Sequence, residues 1–412
     1  MINFEQFSLS NGLQVFVHQD PKSLIAAFNL CYGVGSRDED PEKTGFAHLF
    51  EHLMFGGSVN VPAFDEPVQK AGGMNNAFTS LDITNYYITL PYQNIETAFW
   101  LESDRMLSLS FDPKVLAVQK SVVIEEFKQR YLNQPYGDLW LKLRPLVFKK
   151  HPYRWATIGK ELSHIENATM EDVKDFFFRF YRPNNAVLVV AGKVDVAQVR
   201  ALAEKWFGNI PAGPSLQKVF PKEEEQTQAR YLLHTADVPV KSLYKVFRTP
   251  EKYSKEAYAL DLFADALGRG QTSALYQKLV KDNALFTSLS AHHSSYQDSG
   301  LFVINGSLSD DVTFEEADAA VCALLKEEIE EVDYSEKLSK VKVQALSLEK
   351  FGETEVLNRA MKLAFAAISG DPNRCNTSLQ IMEEIDPEFL KITAKKYLKE
   401  QFSNTLFYSP KA

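Results

Sequence analysis

The chain has 412 residues but only three cysteines, Cys31, Cys322 and Cys375, odd in number and far apart. That excludes a disulfide framework and a zinc site built on thiolates, and it favours a reducing compartment. Basic charge is also short: 45 Lys and Arg against 54 Asp and Glu leave a net charge of −9. An acidic chain suits a phosphate backbone poorly, so no nucleic-acid partner is expected. No uninterrupted apolar run reaches the roughly 20 residues that cross a bilayer, so no membrane span is expected either. The opening "MINFEQFSLSNGLQVFV" lacks a basic stretch followed by an apolar one, and it reads as a strand and not as a secretory signal. These absences lead to the expectation of a cytoplasmic protein. What is present, 45% hydrophobic and 24% charged residues, is enough to bury substantial cores, and the length suggests two or three domains.

The patterning predicts an α+β protein of two tandem domains with similar topology, each a mostly antiparallel sheet packed with helices. Residues 4–9 and 13–18 alternate around Asn11-Gly12, a hairpin signal. Residues 24–33 form a buried strand, "NNAFTS" and "TNYYITL" two more, and helical periodicity runs over about 95–109 and from Asp112-Pro113 to about Leu132. "AVLVVAG", Ala186–Gly192, is a central strand, followed by an amphipathic helix over Val196–Phe207. Gly208–Arg230 then concentrates proline, glycine and charge. The expected division is therefore a first domain over 1–207, a linker over 208–230 and a second domain over 231–412. Strands near 231–233 and 242–247, helices from Lys255 and Ser273, a hairpin over 287–308 and long helices near 314–331 and 335–350 follow. The closing helix and strand repeat the order of residues 170–192.

Histidine is scarce too, with eight in the chain, yet two of them fall within "GFAHLFEHLMFGG", Gly45–Gly57. On a helix His48, Glu51 and His52 stand at i, i+3 and i+4 and share one face. Two imidazoles one turn apart can bind one zinc ion, with the carboxylate between them free to take a proton from water. The surrounding residues are apolar, so the helix is buried, and buried histidine and glutamate need partners. A zinc ion would satisfy all three. A catalytic zinc site normally takes three protein ligands, and "VQKSVVIEEFKQR" supplies a candidate. Glu126 shares a helix face with Gln119, Val122 and Val123, whereas Glu125 falls beside Ser121 and Lys128 on a more solvated face.

The inverted H-x-x-E-H, the Gly-Gly after it, "NNAFTS…TNYY" and a downstream "VVIEE" together resemble the M16 zinc peptidases, and "QPYG", "HPYRW" and "YRPNNAVLVVAG" extend the resemblance over nearly the whole chain. It implies that His48, His52 and Glu126 are zinc ligands and that Glu51 is the general base. It also implies that "NNAFTS" is an edge strand on which Asn76 and Ala77 offer hydrogen bonds to an extended substrate, a general mode of peptide recognition. Two departures stand out. Many relatives carry a glutamate seven residues before the third ligand, where this chain has Gln119, expected to tune the site without abolishing it. The family's other half supplies an Arg and, seven residues later, a Tyr that bind the substrate carbonyl. Alignment from Ser273 puts Val280 and Thr287 there, with Lys281 as the one nearby cation.

The expectation is thus a zinc-dependent endopeptidase acting on extended or unfolded peptides, enclosed between two such subunits. The missing Arg and Tyr point to a heterodimer with a homologous subunit that supplies them, with a homodimer as the other arrangement. The rival is a non-catalytic peptide-binding or assembly subunit, which would have no need of Glu51. His292-His293 lie on a strand and face opposite ways, and His18, His151, His164 and His234 are isolated, so structural roles are expected for them.

Overall fold

The computed structural model describes residues 1–411. Two compact units divide them. One comprises 1–129, 155–221 and 350–376, the other 130–154, 222–349 and the described residues from 377 on. The units interleave along the chain, where the sequence reading expects contiguous ones. The cause is local packing. The helix Val356–Ile368 buries Ala360, Leu363, Ala364 and Ala367 in one cluster with Ala27 and Cys31 of the strand Ile25–Tyr32 and Val187 and Val189 of the strand Ala186–Gly192. The helix Leu139–Val147, in contrast, lies on the second sheet, where Arg230 donates to the Leu146 and Val147 carbonyls at 3.0 and 3.1 Å.

The first sheet contains β1 (Glu5–Ser8), β2 (Gln14–Gln19), β3 (Ile25–Tyr32), β4 (Met74–Thr79), β5 (Thr84–Pro91) and β6 (Ala186–Gly192), in the order β1-β2-β6-β3-β5-β4. The β1–β2 hairpin turns at Gly12, whose φ of +88° suits glycine. The second sheet contains β7 (Arg230–Ala236), β8 (Ser242–Arg248), β9 (Phe286–Ser294), β10 (Leu301–Leu308) and β11 (Ser403–Pro410), in the order β7-β11-β8-β10-β9. Without β1 the two sheets share one topology. In each, the first and last strands pair in parallel, β2 with β6 and β7 with β11, and every other pairing is antiparallel. The fold is α+β, two mixed sheets each packed with helices, as the sequence reading expects.

In the first unit one sheet face carries Phe28 against Phe99 and Phe207, ring centroids 4.9 and 6.4 Å away. The same face receives the helix bearing the histidines, because the hydroxyl of Tyr86 on β5 donates to the Phe50 carbonyl. The opposite face receives the Val356–Ile368 helix. β4 closes the sheet as an edge strand, with one side paired to β5 and the other open.

Candidate metal centre

The histidine helix, Phe46–Leu53, starts after Gly45, whose φ is +87°. A Cβ there would approach the Ile158 carbonyl oxygen to 2.7 Å, so the position takes glycine and offers no side chain to cap the helix. Glu39 supplies the cap instead. Its carboxylate oxygens accept from the N–H groups of Gly45 and Ala47, each at 2.9 Å, two of the donors a helix start leaves unpaired. Burial pushes the Glu39 carboxyl up to about 8, against those two N–H groups, which pull it down. Phe50 stacks on Phe176 and Tyr181, with centroids 5.0 and 5.1 Å away. With Phe46, Ala47, Leu49, Phe50 and Leu53 buried, His48, Glu51 and His52 share the remaining side.

The glutamate helix, Pro113–Phe127, is capped by Asp112, which accepts from the Lys114 N–H at 2.8 Å. It buries Leu116, Val123 and Phe127 and packs against the histidine helix. Glu126 Oε2 lies 3.6 Å from His48 Nε2 and 3.4 Å from His52 Nε2. Glu125 turns outward to Lys128 at 2.8 Å. Two ligands about 2.0–2.1 Å from a tetrahedral zinc stand roughly 3.3–3.4 Å apart, so the separations from Glu126 to the histidines match that geometry. The two imidazoles meet edge to face, centroids 4.8 Å apart. Among the described residues this is the one group of three or more such donors close enough to share an ion. Nitrogen and carboxylate donors without thiolate suit zinc in a three-ligand site with a fourth position for water.

Glu51 stands beside this cluster and is held from a third element. The Thr79 hydroxyl, at the end of β4, donates to Glu51 Oε2 at 2.6 Å. Burial raises the Glu51 carboxyl above its ordinary range, and Glu126 adds to the rise, while the Thr79 hydroxyl and His52 oppose it. A raised carboxyl is a stronger base at neutral pH than an ordinary one. Thr79 thereby fixes the direction of the Glu51 carboxylate. Thr79→Val should therefore lower kcat about ten- to a hundredfold, the range for a misaimed catalytic group, with little change in KM or zinc content. Thr79→Ser should restore the rate. Equal rates for Val and Ser variants would contradict this positioning role.

Ala77 is buried, and its N–H donates to the side-chain oxygen of Asn76 at 2.8 Å, so both residues sit on the open edge of β4. Gln119 lies two turns before Glu126 on the same helix, about 10.5 Å along the axis. Five of the six remaining histidines are tied into the scaffold, and His292 lies exposed on β9. His164 accepts from the Thr44 N–H at 3.1 Å, His18 meets the Asn3 carbonyl at 2.6 Å, and His151 and His234 pair with Asp298 and Asp138. His293 pairs with Asp261 at 2.6 Å and Thr249 at 2.8 Å. In the second unit Lys281 donates to Gln277 at 3.2 Å and Thr287 to the Ser307 carbonyl at 3.3 Å. Sequence reasoning missed Glu39 and Thr79. The alternation from Ala77 places Thr79 on the same strand face, but nothing local says which helix covers that face.

Residues 14–138 match the family described as Insulinase (Peptidase family M16), and residues 167–344 match the Peptidase M16 inactive domain. The chain is 29% identical over 423 aligned positions to the zinc protease PqqE of Helicobacter pylori, covering 98% of this chain and 93% of that one. It is 27% identical over 304 positions to YmxG of Bacillus subtilis, named an uncharacterized zinc protease, covering 73% of each. Among solved structures, a protease from Helicobacter pylori superposes with a TM-score of 0.92 at 29% identity, covering all of both chains. Pitrilysin superposes at 0.77 with 20% identity, covering all of this chain and 45% of that one, a likeness of fold alone.

Proposed function

Because the chain belongs to the M16 peptidase family and its relatives are named zinc proteases, we propose that it is a zinc-dependent endopeptidase hydrolysing extended or unfolded peptides. The observation that carries this reading is the meeting of His48, His52 and Glu126 at 3.4–3.6 Å beside a carboxylate, Glu51, that lies outside this donor group and accepts from Thr79. When bound, zinc supplies Lewis acidity and a water of lowered pKa. The remaining work falls to the chain. His48, His52 and Glu126 hold the ion. Glu51 takes the proton of the attacking water and returns it to the leaving amine. β4 offers its open edge to the peptide backbone, with Asn76 and Ala77 as the proposed contacts, and Gln119 as a neutral supporting residue along the glutamate helix. A purely peptide-binding or assembly subunit would have no use for an oriented Glu51.

The proposal includes a partner. The positions aligned with the family's Arg and Tyr are Val280 and Thr287, so this chain lacks the donors that steady a developing oxyanion. Such donors are commonly worth ~3–4 kcal/mol, or ~10²–10³ in rate. A homologous subunit carrying them would complete a chamber formed by the two. The isolated chain is expected to bind zinc yet cleave a quenched peptide ~10²–10³ more slowly than the pair. Full activity of the chain alone, unchanged by a homologous partner, would leave a homodimer or monomer as the working form.

A further inference from the structure

At the start of β4, in the first unit, lies a cavity of about 560 Å³ that the chemistry above leaves unused. Ile25, Met74, Val356 and Leu357 form its apolar wall, and the Asp20–Arg359 ion pair, 2.7 Å between charged atoms, lies at its polar side. That pair is neutralised, and the other two charged groups of the lining, Lys22 and Glu355, are of opposite sign, so the cavity carries no net charge. Met74 is 75% exposed and Ile25 42%. Large apolar side chains left together in water mark a binding surface more often than an idle one. The volume falls within the range of small-ligand pockets.

The register of β4 says what could lie there. The Ala77 N–H donates to Asn76 and not to β5, so Asn75, Ala77 and Thr79 direct their N–H groups to the open edge. Side chains alternate between the faces. Thr79 reaches Glu51 on one face, while Phe78 meets Phe365 on the other, centroids 6.0 Å apart. Met74 has the parity of Phe78 and so lies on the face away from Glu51. A peptide pairing with β4 inherits this alternation. Its residue opposite Met74 stands five positions from the one opposite Thr79, roughly 17 Å along the strand. The odd spacing turns that side chain away from the catalytic face and toward the cavity.

We propose that this cavity is a remote subsite for a large apolar side chain of an extended peptide lying along β4, five residues from the position beside Glu51. It rests on the peptidase reading and adds to it a substrate class: peptides long enough to span β4, with an apolar residue at the far end. Pairing antiparallel to β4 puts that residue on the C-terminal side of the cleavage point, and parallel pairing puts it on the N-terminal side.

The test uses the full-length Glu51→Gln protein loaded with zinc, so that peptide binds without being cut. Fluorescence anisotropy follows a long leucine-rich peptide and a short one trimmed to the residues facing Ala77 to Thr79. Met74→Asp, added to this protein, is expected to weaken the long peptide by about tenfold or more, the cost of refusing burial to one leucine-sized side chain, and to leave the short one unchanged. Met74 is largely exposed, so the fold should survive its replacement. Leu24→Asp, outside the cavity, is expected to change neither. Equal loss for both peptides, or no loss for the long one, overturns the subsite. Self-association that disappears in Met74→Asp while peptide binding persists overturns it in favour of a second copy on the same patch. If neither peptide binds the parent protein, the peptidase reading itself fails, and the subsite with it.

Discussion

Glu51→Gln is expected to keep its zinc and lose peptide hydrolysis by ~10²–10⁴, the usual worth of a positioned general base. The substitution is nearly isosteric, and the amide oxygen can still accept the Thr79 hydrogen bond, now 2.6 Å to the carboxylate. The histidine helix keeps its buried face and its Glu39 cap, so the fold and the ligand positions should persist. What disappears is the capacity to receive a proton. Zinc content and peptide turnover, measured on the same preparation, separate the two effects. A variant cleaving near the wild-type rate would remove Glu51 from the base role and send the search to another group near the cluster.

His48→Ala, His52→Ala and Glu126→Gln are expected to weaken zinc binding by more than the ~10–100-fold that loss of a supporting hydrogen bond costs a metal site. Each leaves two protein donors where a catalytic site normally uses three. The side chains are 13%, 24% and 19% exposed, so truncation opens the site to water and leaves no sealed cavity, and the fold should persist. Glu125→Gln is the control. That residue pairs with Lys128 at the surface and is expected to change zinc affinity little. Loss of zinc in the Glu125 variant with retention in the Glu126 variant would reverse the ligand assignment.

Much of the catalytic geometry is legible in the sequence because it is local. His48, Glu51 and His52 share a face by helical spacing alone, and Glu126 follows the buried Val123 inward, although Val122, grouped with them by spacing, is exposed, while Glu125 meets Lys128. The hairpin at Asn11-Gly12 and the strands β3 and β5 follow from turn chemistry and from apolar and β-branched runs. What stays hidden is non-local. The sequence reading assigns no element to 356–368, and the alanine-rich face of the helix found there carries it to β3 and β6. Thr79 reaches Glu51 only because β4 runs beside the histidine helix. Glu39 caps a helix six residues ahead of Gly45, a distance no capping pattern spans. The helix read from Ser273 forms, but it winds as a π-helix over Tyr276–Asp282, where i to i+5 bonding leaves the ordinary helical period.

The most direct test of the central claim is zinc-edge X-ray absorption on the purified chain. The spectrum should show nitrogen and oxygen neighbours at about 2.0–2.1 Å, with the outer-shell signature of two imidazoles. In Glu126→Gln the zinc should be depleted or the shell altered. A metal-free chain after growth in zinc, sulfur neighbours near ~2.3 Å, or an unchanged shell in Glu126→Gln would contradict the assignment of His48, His52 and Glu126 as the site that makes this chain a zinc peptidase.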